Sequence, residues 1–74
     1  MVDRSTRILI MHDALQKGKI IHIDDLALKM HSCKRTIHRD INTLRSYYAN
    51  RVCWDGQYQM IVYDKANNGY KLSN

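Results

Sequence analysis

An α+β fold, three helices followed by a C-terminal β-hairpin, is what this 74-residue sequence predicts. Three observations carry the prediction. Apolar residues recur at helical spacing through the first two thirds of the chain, the last third turns to β-branched and aromatic runs, and an Asn-Asn-Gly stretch divides those runs in two. With 45% apolar and 26% charged residues, the chain has the balance of a folded domain rather than a disordered one. A chain this short buries only ~60% of its unfolded surface, so a single domain over residues 1–74 is expected, with a thin core and its function on the outside.

From Arg7 to Lys17, residues Ile8, Met11, Ala14 and Leu15 recur on one side of a first helix. Asp3 or Ser5 is placed to cap its start, and Lys17-Gly18 to stop it. "KIIHI" (19–23) has the composition of a short strand. Asp24 and Asp25 open a second helix, two anions where the positive end of the helix dipole favours them. Leu26, Ala27 and Met30 form its inner face, and it ends near His31. The third helix is predicted from Cys33 to Tyr48, because Ile37, Ile41, Leu44 and Tyr48 keep spacings of three and four residues. "YQMIVYD" and "NNGYKL" then read as two strands joined through "DKANNG", where Asn67, Asn68 and Gly69 tolerate left-handed backbone angles. Residues 49–59 fit no element firmly; Asp55-Gly56 suggests another turn, with an extra strand beside it. Helix, strand, helix, helix, strand, strand is the order of a winged helix.

The net charge of +5 and a pI of about 9.5 point to a polyanionic partner, either nucleic acid or an anionic membrane surface. No apolar run approaches the ~20 residues that span a bilayer, and the N-terminal stretch lacks a signal-peptide pattern. No membrane association is therefore expected, and the chain is placed in the cytoplasm, on the nucleoid when bound to DNA. Cys33 and Cys53 do not make a disulfide framework.

Unrolling the third helix at ~100° per residue sorts its side chains. With Ile37, Ile41 and Leu44 inward, the opposite face holds Arg35, Arg39, Asn42 and Ser46. Lys34, His38 and Arg45 fall on one flank, Thr36 and Thr43 on the other. Arginine suits guanine bidentately, asparagine suits adenine, and lysine and threonine hold phosphates. The expected DNA-contacting set on this helix is Lys34, Arg35, Thr36, His38, Arg39, Asn42 and Arg45. On the hairpin it is Lys65, Asn67, Asn68 and Lys71, touching phosphate or the minor groove; for the two asparagines a purely conformational role in the turn is the equal alternative. Asp40 is expected to pin the fold by pairing with a cation or backbone donor, since a carboxylate facing phosphate is repelled.

"IDDLALKMHSCKRTIHRDINTL" resembles the helix-turn-helix of DeoR-type and WYL-associated bacterial regulators, a module shared with biotin-repressor-like winged helices. The pattern there is an acidic pair, Leu-Ala, a turn, a serine cap, then basic-Arg-Thr-Ile-x-Arg-Asp-Ile-x-x-Leu. Asp24, Asp25, Leu26 and Ala27 match, as do Arg35, Thr36, Ile37, Arg39, Asp40, Ile41 and Leu44, and the closing "GYKL" is similar to the Gly-Tyr-x-Leu that ends the wing. The resemblance implies a winged helix-turn-helix that binds double-stranded DNA sequence-specifically as a stand-alone transcriptional regulator. The recognition helix, about 33–48, would enter the major groove, and the wing, about 60–72, would lie on the backbone. His31 stands where the family has its turn glycine, Ser32 where a small apolar residue packs and Cys33 where serine caps the helix. Histidine tolerates left-handed angles, whereas cysteine is a poor cap, which makes Ser32 the alternative cap. The join at 49–59 is longer than the family's, and no sensor domain follows. Control by abundance, dimerisation or a partner is therefore expected, an arrangement that suits phages, plasmids and other mobile elements.

His31, Cys33 and His38 have a spacing that fits no common zinc site, so no metal or other cofactor is expected. A thiol at a basic helix start has its thiolate favoured, yet an inert Cys33 is the simpler reading. No Ser/His/Asp or Cys/His set has a reason to converge and there is no glycine-rich phosphate loop, so neither catalysis nor a small-molecule ligand is implied. Of the aromatic residues Tyr47, Tyr48, Trp54, Tyr58, Tyr63 and Tyr70, most should cover the core, with Tyr70 packing the wing onto the helices. One or two, Trp54 first, would form the patch of a homodimer. Two rival functions use the same fold: a DNA-architectural or recombination accessory factor, and a protein-interaction module without DNA binding.

Overall fold

The computed structural model describes residues 2–73. Three helices, α1 (Arg4–Gln16), α2 (Ile23–Lys29) and α3 (Lys34–Asp55), precede an antiparallel hairpin of β1 (Met60–Asp64) and β2 (Gly69–Ser73). This is an α+β chain in the layout of a winged helix-turn-helix.

Helix α1 starts three residues before its predicted first residue, because Asp3 caps it: the Asp3 carboxylate accepts from the Thr6 backbone N–H at 3.2 Å. That hydrogen bond holds the Asp3 carboxyl below its usual range. Met11 and Leu15 face inward as expected, but so does Arg7. The "KIIHI" strand shrinks to one bridge, in which Ile21 and Tyr70 exchange two backbone hydrogen bonds of 2.8 Å. It ties the α1–α2 connection to the hairpin.

A Schellman motif ends α2. The Ser32 N–H donates to the Ala27 carbonyl at 3.0 Å and the His31 N–H to that of Leu28 at 3.3 Å, with His31 itself at φ 52°. Histidine thus takes the left-handed position. Cys33, not Ser32, is the N-cap of α3, and it makes no side-chain cap bond; the Ser32 hydroxyl donates back to the Met30 carbonyl instead.

Helix α3 does not stop near Tyr48. It runs on through residues 49–55, where an extra strand had been expected, and ends at Gly56 in the left-handed conformation. No breaker occurs before Gly56, and the i,i+4 pair Arg51–Asp55, at 2.7 Å, ties the last turns together. The carboxyl of Asp55 is held low, first by Arg51 and then by the Gln57 backbone N–H.

The hairpin pairs Ile61 with Leu72 and Tyr63 with Tyr70. Its turn puts Asn68, not Gly69, at positive φ (52°). Gly69 is needed for space: a Cβ there would lie 2.7 Å from the Ile21 carbonyl oxygen. Gly69→Ala should therefore push the hairpin off the Ile21–Tyr70 bridge at a cost of about 1–3 kcal/mol. Thermal unfolding followed by circular dichroism should show a fall of about 4–8 °C per kcal/mol.

Met11, Leu15, Ile21, Ala27, Ile37, Ile41, Leu44, Tyr48 and Ile61 form the core, with Tyr70 and Leu72 of the wing packed against it. Burial raises the pKa of the Tyr48 hydroxyl, which lies 2.7 Å from His12 Nδ1. Among the described residues, no helix is long and apolar enough to cross a membrane.

Candidate nucleic-acid interface

Five residues of α3 are buried: Ile37, Asp40, Ile41, Leu44 and Tyr48. They fix its rotation, and the opposite face is left to solvent. Arg35, Arg39, Asn42 and Ser46 are all exposed on it. Neither Arg35 nor Arg39 has a salt bridge or side-chain hydrogen bond to another described residue. Two guanidinium forks therefore point outward with their donors uncommitted, one turn apart.

The flank toward the hairpin is built differently. Arg45 sits over the Tyr70 ring, 5.6 Å from its centroid, and reaches Asn42 Oδ1 only at 3.5 Å. His38 meets the same ring edge-on at 6.2 Å, and Tyr63 packs against it from β1 at 5.2 Å. Tyr70 thus joins the hairpin to α3, as its position in the sequence suggests. Lys34 pairs with Asp24 at 3.0 Å. Both groups are well exposed, and such pairs are worth ~0–1 kcal/mol, little enough for a phosphate to displace. Thr36 lies on the other flank, its hydroxyl 3.2 Å from the Cys33 sulfur. That contact is the main reason the Cys33 thiol sits below its ordinary pKa.

In the wing, Asp64 collects the turn. Its carboxylate accepts from Asn67 Nδ2 at 2.8 Å and from the Ala66 N–H at 3.0 Å, and lies 3.5 Å from Lys71 Nζ. The Asn67 bond, then Lys71, keeps its pKa low. Asn67 is therefore spent inside the turn, Asn68 supplies a left-handed backbone, and Lys71 is partly neutralised. The side chains of Lys65 and Asn68 are exposed with no polar partner among the described residues, and of the two only Lys65 carries charge. Between hairpin, α2 and α3 lies an open groove of about 530 Å³ whose lining mixes Lys34 and His38 with Asp24 and Asp25. The cationic surface is consequently concentrated on the outer face of α3.

Two arginines of α1 were missed by the sequence reading. Arg7 Nε lies 2.7 Å from Asp40 Oδ2, and both residues are buried. Arg4 donates to Thr43 Oγ1 at 3.0 Å, adding an exposed cation beside α3. The four-residue spacing of Arg7, Met11 and Leu15 was the available sign that Arg7 faces inward. Asp40 does pair with a cation, as its sequence context suggested. Among the described residues no cluster of His, Cys, Asp and Glu is arranged to hold a metal ion, and Cys33 and Cys53 are both exposed free thiols. No protein-family model, curated protein or solved structure matches this chain.

Proposed function

We propose that this chain binds double-stranded DNA, with α3 in the major groove and the hairpin against the neighbouring backbone, and that it regulates transcription in the cytoplasm. One observation carries the reading: Arg35 and Arg39 stand exposed and unpaired on the face of α3 opposite the core. A guanidinium held this way loses no internal contact when it meets guanine O6 and N7 or a phosphate. Lys34, Arg45 and Lys65 add charge around it, and the net charge of +5 favours encounter with a polyanion. The regulator role, rather than DNA binding as such, rests on the resemblance of residues 23–44 to DeoR-type and WYL-associated helix-turn-helix modules.

Titration of a labelled random duplex by fluorescence anisotropy across a salt series tests it. Neutralising about four to six phosphates should give log K against log salt a slope of roughly −4 to −5. Selection from random DNA should then return a site of at least tenfold preference, well within the specificity of such domains. Absence of binding at low salt leaves the protein-interaction module; strong binding with no preferred site leaves the architectural factor.

A further inference from the structure

A groove of about 330 Å³ runs between α1 and α3 on the side away from the wing, lined by Ile8, Leu9, His12, Thr43, Leu44 and Tyr47. Trp54 continues it, two turns along α3 from Tyr47 and 5.5 Å from that ring. Leu9 is 66% exposed, Trp54 59% and Tyr47 40%. Single exposed apolar residues need no explanation, but a contiguous set on two helices does. We infer that a second copy of this chain docks here, the same α1–α3 face of each copy meeting across a two-fold axis.

Charge favours this face and this occupant. Copies that each carry +5 repel one another except where charge is absent or already paired. No residue lining the groove has a formal charge; of the cations around it, Arg51 pairs with Asp55 at 2.7 Å and Lys17 with Asp13 at 3.0 Å, while Arg39, one turn before Thr43, stands unpaired at the rim. At one end Arg4 shares Asp40 with Arg7, which leaves one exposed charge at the rim. A second apolar surface, formed by Ala49, Tyr58 and Met60, includes Arg45, which has no acid partner among the described residues. Arg45 lines that surface itself, so two copies meeting there would bury two uncompensated guanidiniums, whereas at the α1–α3 groove the cations stand at the rim.

Area agrees. Aromatic side chains bring ~150–250 Å² each, so the exposed parts of Trp54, Tyr47 and Leu9, with half-buried Ile8, offer roughly 400 Å² of apolar surface per copy. A standard interface takes ~800 Å² per partner, of which ~56–65% is apolar, or roughly 450–500 Å². The patch is close to the apolar share of one such interface. Tyr47 lies roughly 100° around α3 from the Arg35–Arg39 face, so the centre of the pairing surface is turned away from those arginines, with Thr43 at the edge nearest Arg39.

The inference does not depend on DNA binding, and its test uses none. Sedimentation equilibrium of the full chain should give a monomer–dimer equilibrium with a dissociation constant on the order of micromolar. Trp54, the single tryptophan, should shift its emission to the blue as concentration rises through that range. Leu9→Asp, at a residue too exposed to be needed for folding, should weaken association at least about tenfold with an unchanged circular dichroism spectrum. Trp54→Ala should do the same by sedimentation, and Tyr58→Asp should leave the equilibrium unaltered. A wild type monomeric at about 100 µM, a Leu9→Asp dimer as tight as wild type, or dissociation by Tyr58→Asp alone would each overturn the assignment.

Discussion

Replacing Arg39 by alanine should lower affinity for the selected duplex roughly ten- to a hundredfold, the equivalent of about 1–3 kcal/mol for a base-reading arginine. The folded state should barely notice. Arg39 is exposed and unpaired on α3, so its truncation removes no internal contact among the described residues, and alanine is the best helix former. Arg39→Lys sharpens the result. Lysine keeps the charge but lacks the planar fork, so the salt slope should survive while the preference for the selected site over a scrambled duplex falls. Anisotropy titrations of both duplexes at one salt concentration measure this. Equal affinity of wild type and Arg39→Ala for the selected site would remove Arg39 from the reading set. Arg45→Ala makes a useful contrast: its guanidinium covers the Tyr70 ring, so its loss should also loosen the wing.

The face of α3 was readable in advance because burial and periodicity agree there. Ile37, Ile41, Leu44 and Tyr48 are all nearly inaccessible, and once they point inward Arg35 and Arg39 have nowhere to go but out. The hairpin was readable for a similar reason: β-branched and aromatic runs flank a turn rich in asparagine and glycine. The end of α3 was not. Val52 and Trp54 favour strands when they have a neighbouring strand to pair with, and nothing local tells the chain that none is there. "KIIHI" failed the opposite way, since its ladder partner among the described residues, Tyr70, lies far along the sequence. In the wing, Asn67 and Asn68 had two equally good uses, and only the position of Asp64 shows the turn consuming the Asn67 amide.

Arg7 escaped notice because a charged residue is counted as outward by default, and the acid that makes its burial tolerable is on another helix. The largest effect on stability is expected from breaking that pair. Asp40 is 2% exposed and Arg7 9%; the guanidinium spends Nε on Asp40 at 2.7 Å and Nη1 on the Val2 carbonyl at 2.9 Å. Asp40→Ala leaves a buried cation without its counterion, which costs about 3–5 kcal/mol. A small domain holds only ~5–15 kcal/mol in all, so the variant should lose more than about 12 °C of melting temperature. The attraction itself is not what is lost. Two charges taken out of water give back most of their Coulomb energy as desolvation, so Arg7→Met combined with Asp40→Leu should recover near wild-type stability in urea unfolding. Recovery by the double variant, set against collapse of the single one, separates an uncompensated charge from a missing contact. A loss below about 1 kcal/mol for Asp40→Ala would mean that water reaches the pair, as it does at surface salt bridges. The two alanine variants should also part ways on DNA: Arg39→Ala loses affinity while folded, whereas Asp40→Ala, one residue along the same helix, loses it by unfolding.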